Sequence, residues 1–226
     1  SPKKFYWKKF LDGENVRFSL FGDDDKVVTD WVTIESTPSD YDLMIAGRKV
    51  NTTNCNNLSV IDGVSGTVKY APATNTLTLS DATIHTTAGE TLGLGIKNQI
   101  DGLIIYLVGN NTIISDNSGG ISNGPKKNLT ITGDGKLIVN GSTTGKNGYR
   151  YGIFNRGDLT VDGCTLESVG GLTGLTAGHW KFVNCTVHAQ GSGSTGDPYD
   201  GTFGWLWDKK PEFVGCSITS PAGTYW

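Results

Sequence analysis

Leu129-Thr130-Ile131-Thr132-Gly133 alternates apolar and polar residues and then stops at a glycine. Period-two alternation marks a strand with one buried face, and the glycine marks a turn. The same phrase stands upstream as Leu77-Thr78-Leu79-Ser80-Asp81 and Ile105-Tyr106-Leu107-Val108-Gly109. Downstream it returns as Leu159-Thr160-Val161-Asp162-Gly163, then loosens to Lys181-Phe182-Val183-Asn184 and Glu212-Phe213-Val214-Gly215. The central apolar residues are Leu79, Leu107, Ile131, Val161, Phe182 and Phe213, at spacings of 28, 24, 30, 21 and 31 residues. A second phrase lies between the copies: Gly95-Ile96-Lys97-Asn98, Gly120-Ile121-Ser122-Asn123 and Gly152-Ile153-Phe154-Asn155. Weaker forms follow at Gly174-Leu175 and Gly204-Trp205.

Two phrases in constant order predict a coil of roughly 20–30 residues per turn, each strand pairing in parallel with its counterpart one turn on. Alternation turns Leu77 and Leu79 inward and Thr78 and Ser80 outward. Asn98, Asn123 and Asn155 then stack at one corner, each amide bonding to the next. A β-sandwich also uses many short strands, but it does not require two phrases in fixed order. The expected fold is all-β: a single-stranded right-handed parallel β-helix of about six turns from roughly residue 41 to 220, with almost no helix.

A solenoid needs covered ends, because open strand edges invite pairing with other chains. Residues 1–40 lack the repeat and read as an N-terminal β cap or hairpin segment, leaving 41–226 as the β-helix domain. Within the cap, Val16 to Phe21 and Lys26 to Glu35 read as strands around the Gly22-Asp23-Asp24-Asp25 turn. At the far end, Phe203, Trp205, Trp207, Tyr225 and Trp226 read either as a hydrophobic plug or as a ligand face.

Composition agrees with strands and turns: Gly contributes 32 residues, and charged residues only 18%. With a net charge of −3 and only the short clusters Lys3-Lys4 and Lys8-Lys9, a nucleic-acid partner is not expected. No apolar run reaches the ~18 residues of a membrane span. The chain opens Ser1-Pro2-Lys3-Lys4, which says nothing of compartment. Cys55, Cys164, Cys185 and Cys216 form no C-x-x-C pair, so a zinc site is not expected. The last three occupy one position in successive turns and read as small apolar thiols stacked inside the coil.

From Tyr41 onward the chain resembles a family of bacterial secreted β-helix proteins that bind carbohydrate, some of them associated with pectate-type polymers. The resemblance lies in Tyr41-Asp42-Leu43 with Ile45-Ala46-Gly47, in Tyr70 to Leu79, in Leu107 to Ile113 and in Leu129 to Gly135. It implies a bacterial protein that is secreted or held at the cell surface. It also admits calcium as a cofactor, with no calcium ligand carried over to any residue here.

Lyases built on β-helices need a base beside a metal- or cation-neutralised uronate. Arg150, Arg156, Asp158 and Asp162 are the nearest approach, but the outward column reads Ser80, Val108, Thr132, Asp162, Val183 and Val214, with a single acid. Asp197, Asp200 and Asp208 flank loop aromatics without a carboxylate pairing legible in sequence. No catalytic residue is therefore named. The expected binding residues are Arg150, Phe154, Tyr199 and Trp207. Aligning Ile153 with Trp205 puts Phe154 beside Leu206 on an outward face and Trp207 in place of the ladder asparagine. Aromatic faces suit sugar rings, and an arginine suits a uronate. The expected function is non-catalytic polysaccharide binding, acidic polymers included. The alternatives are a structural or adhesive surface protein with a protein partner, or a polysaccharide lyase.

Overall fold

The structure, a computed structural model, describes residues 4–12, 15–27, 32–34, 37–87, 93–143, 150–191, 201–204, 206 and 210–216. The chain forms two compact units, Ser1–Ser39 and Asp40–Trp226.

The first unit is an antiparallel sheet of β1 (Phe5–Asp12), β2 (Asn15–Gly22) and β3 (Val32–Ile34), in that order. Its aromatic opening is itself a strand: Phe5 lies opposite Gly22 and Trp7 opposite Leu20. The rings of Tyr6 and Phe21 stack at 5.9 Å, and the Lys8 ammonium sits 4.5 Å from the Phe21 centroid.

The second unit opens with β4 (Asp40–Ile45) and β5 (Arg48–Asn51), an antiparallel hairpin. Its two loop residues, Ala46 and Gly47, both have positive φ, as a tight primed turn requires. A 3₁₀ turn at Leu58–Val60 follows, with the Asn57 side chain accepting from the Ser59 amide. Then β6 (Val64–Ala71) runs antiparallel to β7 (Thr76–Thr86). Strand β4 likewise runs antiparallel to β8 (Ile96–Asn98). Residues 40–71 therefore cover the first coil on two sides, and parallel winding begins only at β7. The expectation of a coil from residue 41 is corrected accordingly.

From β8 onward the chain repeats a three-strand turn. The second and third strands of the first turn are β9 (Leu103–Val108) and β10 (Asn110–Ser115). Next come β11 (Ile121–Asn123), β12 (Asn128–Gly133) and β13 (Lys136–Asn140), then β14 (Tyr151–Asn155), β15 (Asp158–Asp162) and β16 (Thr165–Gly170). The last full turn is β17 (Thr173–Thr176), β18 (His179–Val183) and β19 (Thr186–Gly191), followed by β20 (Gly201–Gly204) and β21 (Glu212–Val214). The fold is thus an all-β parallel solenoid of about four turns rather than six. Two of the six phrases fall in β7 and β21, at the ends of the winding.

The first face stacks β7, β9, β12, β15, β18 and β21; the second stacks β7, β10, β13, β16 and β19; the third stacks β8, β11, β14, β17 and β20. Strand β7 serves two faces because it turns at Asp81, whose φ is 46°. Its first half pairs with β9 and its second half with β10.

Register makes the core a set of columns. Leu77, Ile105, Ile131, Val161, Phe182 and Phe213 form one; Leu103, Leu129, Leu159 and Trp180 form another. On the third face Ile45, Ile96, Ile121, Ile153, Leu175 and Phe203 line up. Most of these side chains are fully buried, each stabilising by about 1.5–3 kcal/mol. The columns turn aromatic toward the C-terminus, where the Phe182 ring lies 6.0 Å from Trp180, 6.0 Å from Phe203 and 5.3 Å from Phe213. Of the five C-terminal aromatics read as a plug or a ligand face, Phe203 is the one among the described residues, and it packs into this end of the core.

The glycines of the second phrase mark the corner between the second and third faces. A Cβ on Gly95, Gly120 or Gly152 would overlap Ile113, Val139 or Ser168 from the second face. Only a residue without a side chain lets the two sheets approach so closely.

Candidate functional site

The second phrase, Gly-Ile-x-Asn, decides what the third face presents. Its Ile points into the core, and its Asn points into the corner before the first face. Asn98 donates to Asn123 at 2.8 Å, and Asn123 donates to Asn155 at 2.9 Å. Asn155 ends the ladder by donating to the carbonyls of Gly157 and His179. The amides also close their local turns: Ile100 N–H donates to Asn98, and Gly157 N–H donates to Asn155. The expected stack is present, and all three asparagines are fully buried.

The x position falls on the other side of the sheet, as Lys97, Ser122, Phe154 and Thr176 on successive strands; Lys97 and Phe154 are half-buried, whereas Ser122 and Thr176 are buried. Phe154 is the one half-buried residue of β14. Its ring packs 4.8 Å from that of Tyr151, which lies over Gly119, where any Cβ would collide with it. The Arg156 guanidinium carbon stands 5.6 Å from the Phe154 centroid, within cation–π range. Arg156 Nε is buried and has no hydrogen-bond partner. Arg150, half-buried, precedes β14, and its carbonyl accepts from the amides of Leu172 and Thr173. Among the described residues no carboxylate pairs with Arg150 or Arg156. The arrangement offers an aromatic face with one guanidinium over it and a second arginine at the entry of the same strand, a chemistry suited to a sugar ring bearing an anionic group.

Of the four expected residues, Arg150 and Phe154 thus belong to one strand and its entry. Tyr199 and Trp207 lie outside the described residues, as do Trp205, Tyr225, Trp226, Asp197, Asp200 and Asp208. The alignment that linked them is corrected. Leu175 pairs with Phe203, so Phe203 continues the Ile153 column and Gly204 stands beside Thr176. Leu206 therefore does not share the Phe154 column. The apolar column decides this register: it needs a large inward residue at the end of the core, and Phe203 supplies it.

Two further residues bear on the site. Arg156 follows Asn155 at the corner, and its sequence neighbours Asp158 and Asp162 do not indicate its place over Phe154. Tyr106 stands two residues away from the register that the phrases alone suggest. Thr132 pairs with Tyr106, so the outward column is Thr78, Tyr106, Thr132, Asp162, Val183 and Val214. Tyr106 is 43% exposed between two threonines. Its signal was an aromatic at the outward step of an otherwise apolar strand.

The acids are mostly committed across turns. Asp158 meets His179 at 2.6 Å, Asp116 meets His85 at 2.9 Å, and Glu167 meets Lys136 at 2.8 Å. Among the described residues no three His, Cys, Asp or Glu side chains converge as metal ligands, so no calcium site is assigned to them.

The cysteine column is partly as expected. Cys164 is buried, and burial pushes its thiol up to about 11. Cys185 and Cys216 are half-buried rather than enclosed; they stand just past the corners that follow β18 and β21, the last two strands of the first-face stack.

These features define a parallel β-solenoid with an aromatic and cationic spot on one narrow face. No family profile, curated protein or solved structure matches the chain.

Proposed function

We propose that the protein is a non-catalytic polysaccharide-binding protein, secreted by a bacterium or held at its surface, with acidic polymers as its best ligands. The observation that carries this reading is the Phe154 ring, with Arg156 above it and Arg150 at the entry of the same strand. A solenoid face is rigid, and rigid platforms lower the entropy lost on binding a chain polymer. Tyr106 adds a second exposed ring on the first face. The resemblance to secreted carbohydrate-binding β-helix proteins supports the same class, as well as a right-handed coil, the hand of nearly all parallel crossovers. Tyr199 and Trp207 remain part of the proposed site as aromatic neighbours in the sequence.

A second reading, adhesion to a protein partner, draws on the N-terminal sheet. Phe5, Trp7 and Leu11 alternate along β1 and are 52%, 60% and 73% exposed. Apolar strips of this kind commonly mark protein contacts.

Affinity electrophoresis through gels containing acidic or neutral polysaccharides separates these classes. Retardation by a uronate polymer, without release of unsaturated uronate, is the expected result. Unretarded migration in every gel would remove the binding reading, and release of unsaturated product would replace it with a lyase.

A further inference from the structure

We infer that Cys185 and Cys216 form a dithiol redox site that closes into a disulfide between two successive coils. Val183 pairs with Val214, and each cysteine lies two residues further on, past a corner of positive φ at Asn184 (45°) and Gly215 (66°). Identical corners bring the two thiols to the same position on neighbouring coils, with the sulfurs 3.8 Å apart. Parallel strands stand about 4.8 Å apart, within the ~4.4–6.8 Å that a disulfide spans between Cα atoms. Closure moves the sulfurs together by less than about 2 Å.

Cys164 is the other neighbour of Cys185, since Thr165 pairs with Thr186. Its sulfur is buried and directed to the Ile131 carbonyl at 3.7 Å, on the side away from Cys185. Cys185 and Cys216 are only half-buried, so a small reagent reaches them. Burial pushes the Cys185 thiol up, which slows exchange without preventing it. The inference is independent of the polysaccharide reading.

The oxidant is a small-molecule disulfide. One protein thiolate attacks a sulfur of that reagent, forming a mixed disulfide and releasing one reagent thiol. The second protein thiolate attacks the protein sulfur of the mixed disulfide, forming the Sγ–Sγ bond and releasing the second reagent thiol. The protein loses two protons and two electrons, and the reagent is reduced to two thiols. The product closes a loop that carries β19, β20 and β21, and ties the corner after β21 to the corner after β18.

The native full chain, incubated with oxidised glutathione and then unfolded, alkylated and mapped, tests this. Before alkylation we expect the intact protein to be about 2 Da lighter than the reduced chain. One peptide pair should be linked through Cys185 and Cys216, with Cys55 and Cys164 still alkylated. The Cys216→Ser protein should instead retain glutathione on Cys185. The inference is overturned by a persistent glutathione adduct on the wild type, by a Cys164–Cys185 link, by an intermolecular dimer, or by four free thiols under conditions that oxidise a dithiol control peptide.

Discussion

Asn123 holds three coils together through one amide. It accepts from Asn98, donates to Asn155 and donates to the carbonyl of Lys127. Asn123→Ala removes all three bonds in a fully buried corner and should lower stability by about 2–4 kcal/mol, read by urea unfolding. A loss below about 0.5 kcal/mol would show that the ladder contributes nothing net. Cys164 makes a second prediction at this scale. Its thiol ionises near 11 when folded, against the ordinary 9.0, because burial penalises the thiolate. Between those values the unfolded chain has lost a proton that the folded chain keeps. Stability therefore falls as pH rises from 9 to 11, by about 3 kcal/mol for this residue. The measurement is the difference between the wild type and Cys164→Ala across that range, since other groups titrate there in both. Equal pH slopes would contradict the assignment. The asparagine ladder was legible in the sequence because identical residues recur at identical places in the phrase. The half-burial of Cys185 was not, since it depends on where the coil stops.

Among the elements, the sequence shows which face a residue takes more readily than its partner. Leu107 and Gly133 are paired, although the phrases alone align Gly109 with Gly133. A slip of two residues keeps every side chain on its own face, so alternation cannot detect it. The same ambiguity separates the phrase from the Ile153 column, which Phe203 continues, and hides Tyr106 in its own column. What resolves both is packing: Gly133 has φ 119° and lies against the Leu107 backbone, where a Cβ would overlap the carbonyl. The corner glycines give an element-scale prediction. Gly120→Ala would drive a methyl into Val139 Cγ1 and against the Gly152 carbonyl oxygen. It should cost about 2–3 kcal/mol, as overpacking does, and a pairing of Gly120→Ala with Val139→Ala should recover part of that loss. If the double variant is no more stable than expected from adding the two single losses, the close approach of the faces is wrong.

For the whole solenoid unit, the repeat made parallel winding legible but not its extent. Residues 40–71 lack the phrase, yet they supply the antiparallel β4 and β6 that cover the first coil. At the other end the core becomes aromatic, and Trp180 donates its indole N–H to the Ala177 carbonyl at 2.6 Å. Trp180→Ala should cost about 3–5 kcal/mol and loosen β18 to β21 before the earlier coils, as hydrogen exchange would register. The functional claim rests on a residue at a quieter place, outward on the third face, where the core does not need it. Calorimetric titration of the wild type and of Phe154→Ala with polygalacturonate tests that claim most directly. The account predicts saturable binding by the wild type and at least about tenfold weaker binding by the variant, while the unfolding free energy changes by no more than about 1.5 kcal/mol. Equal affinity in the two proteins, or no heat of binding in either, would contradict it.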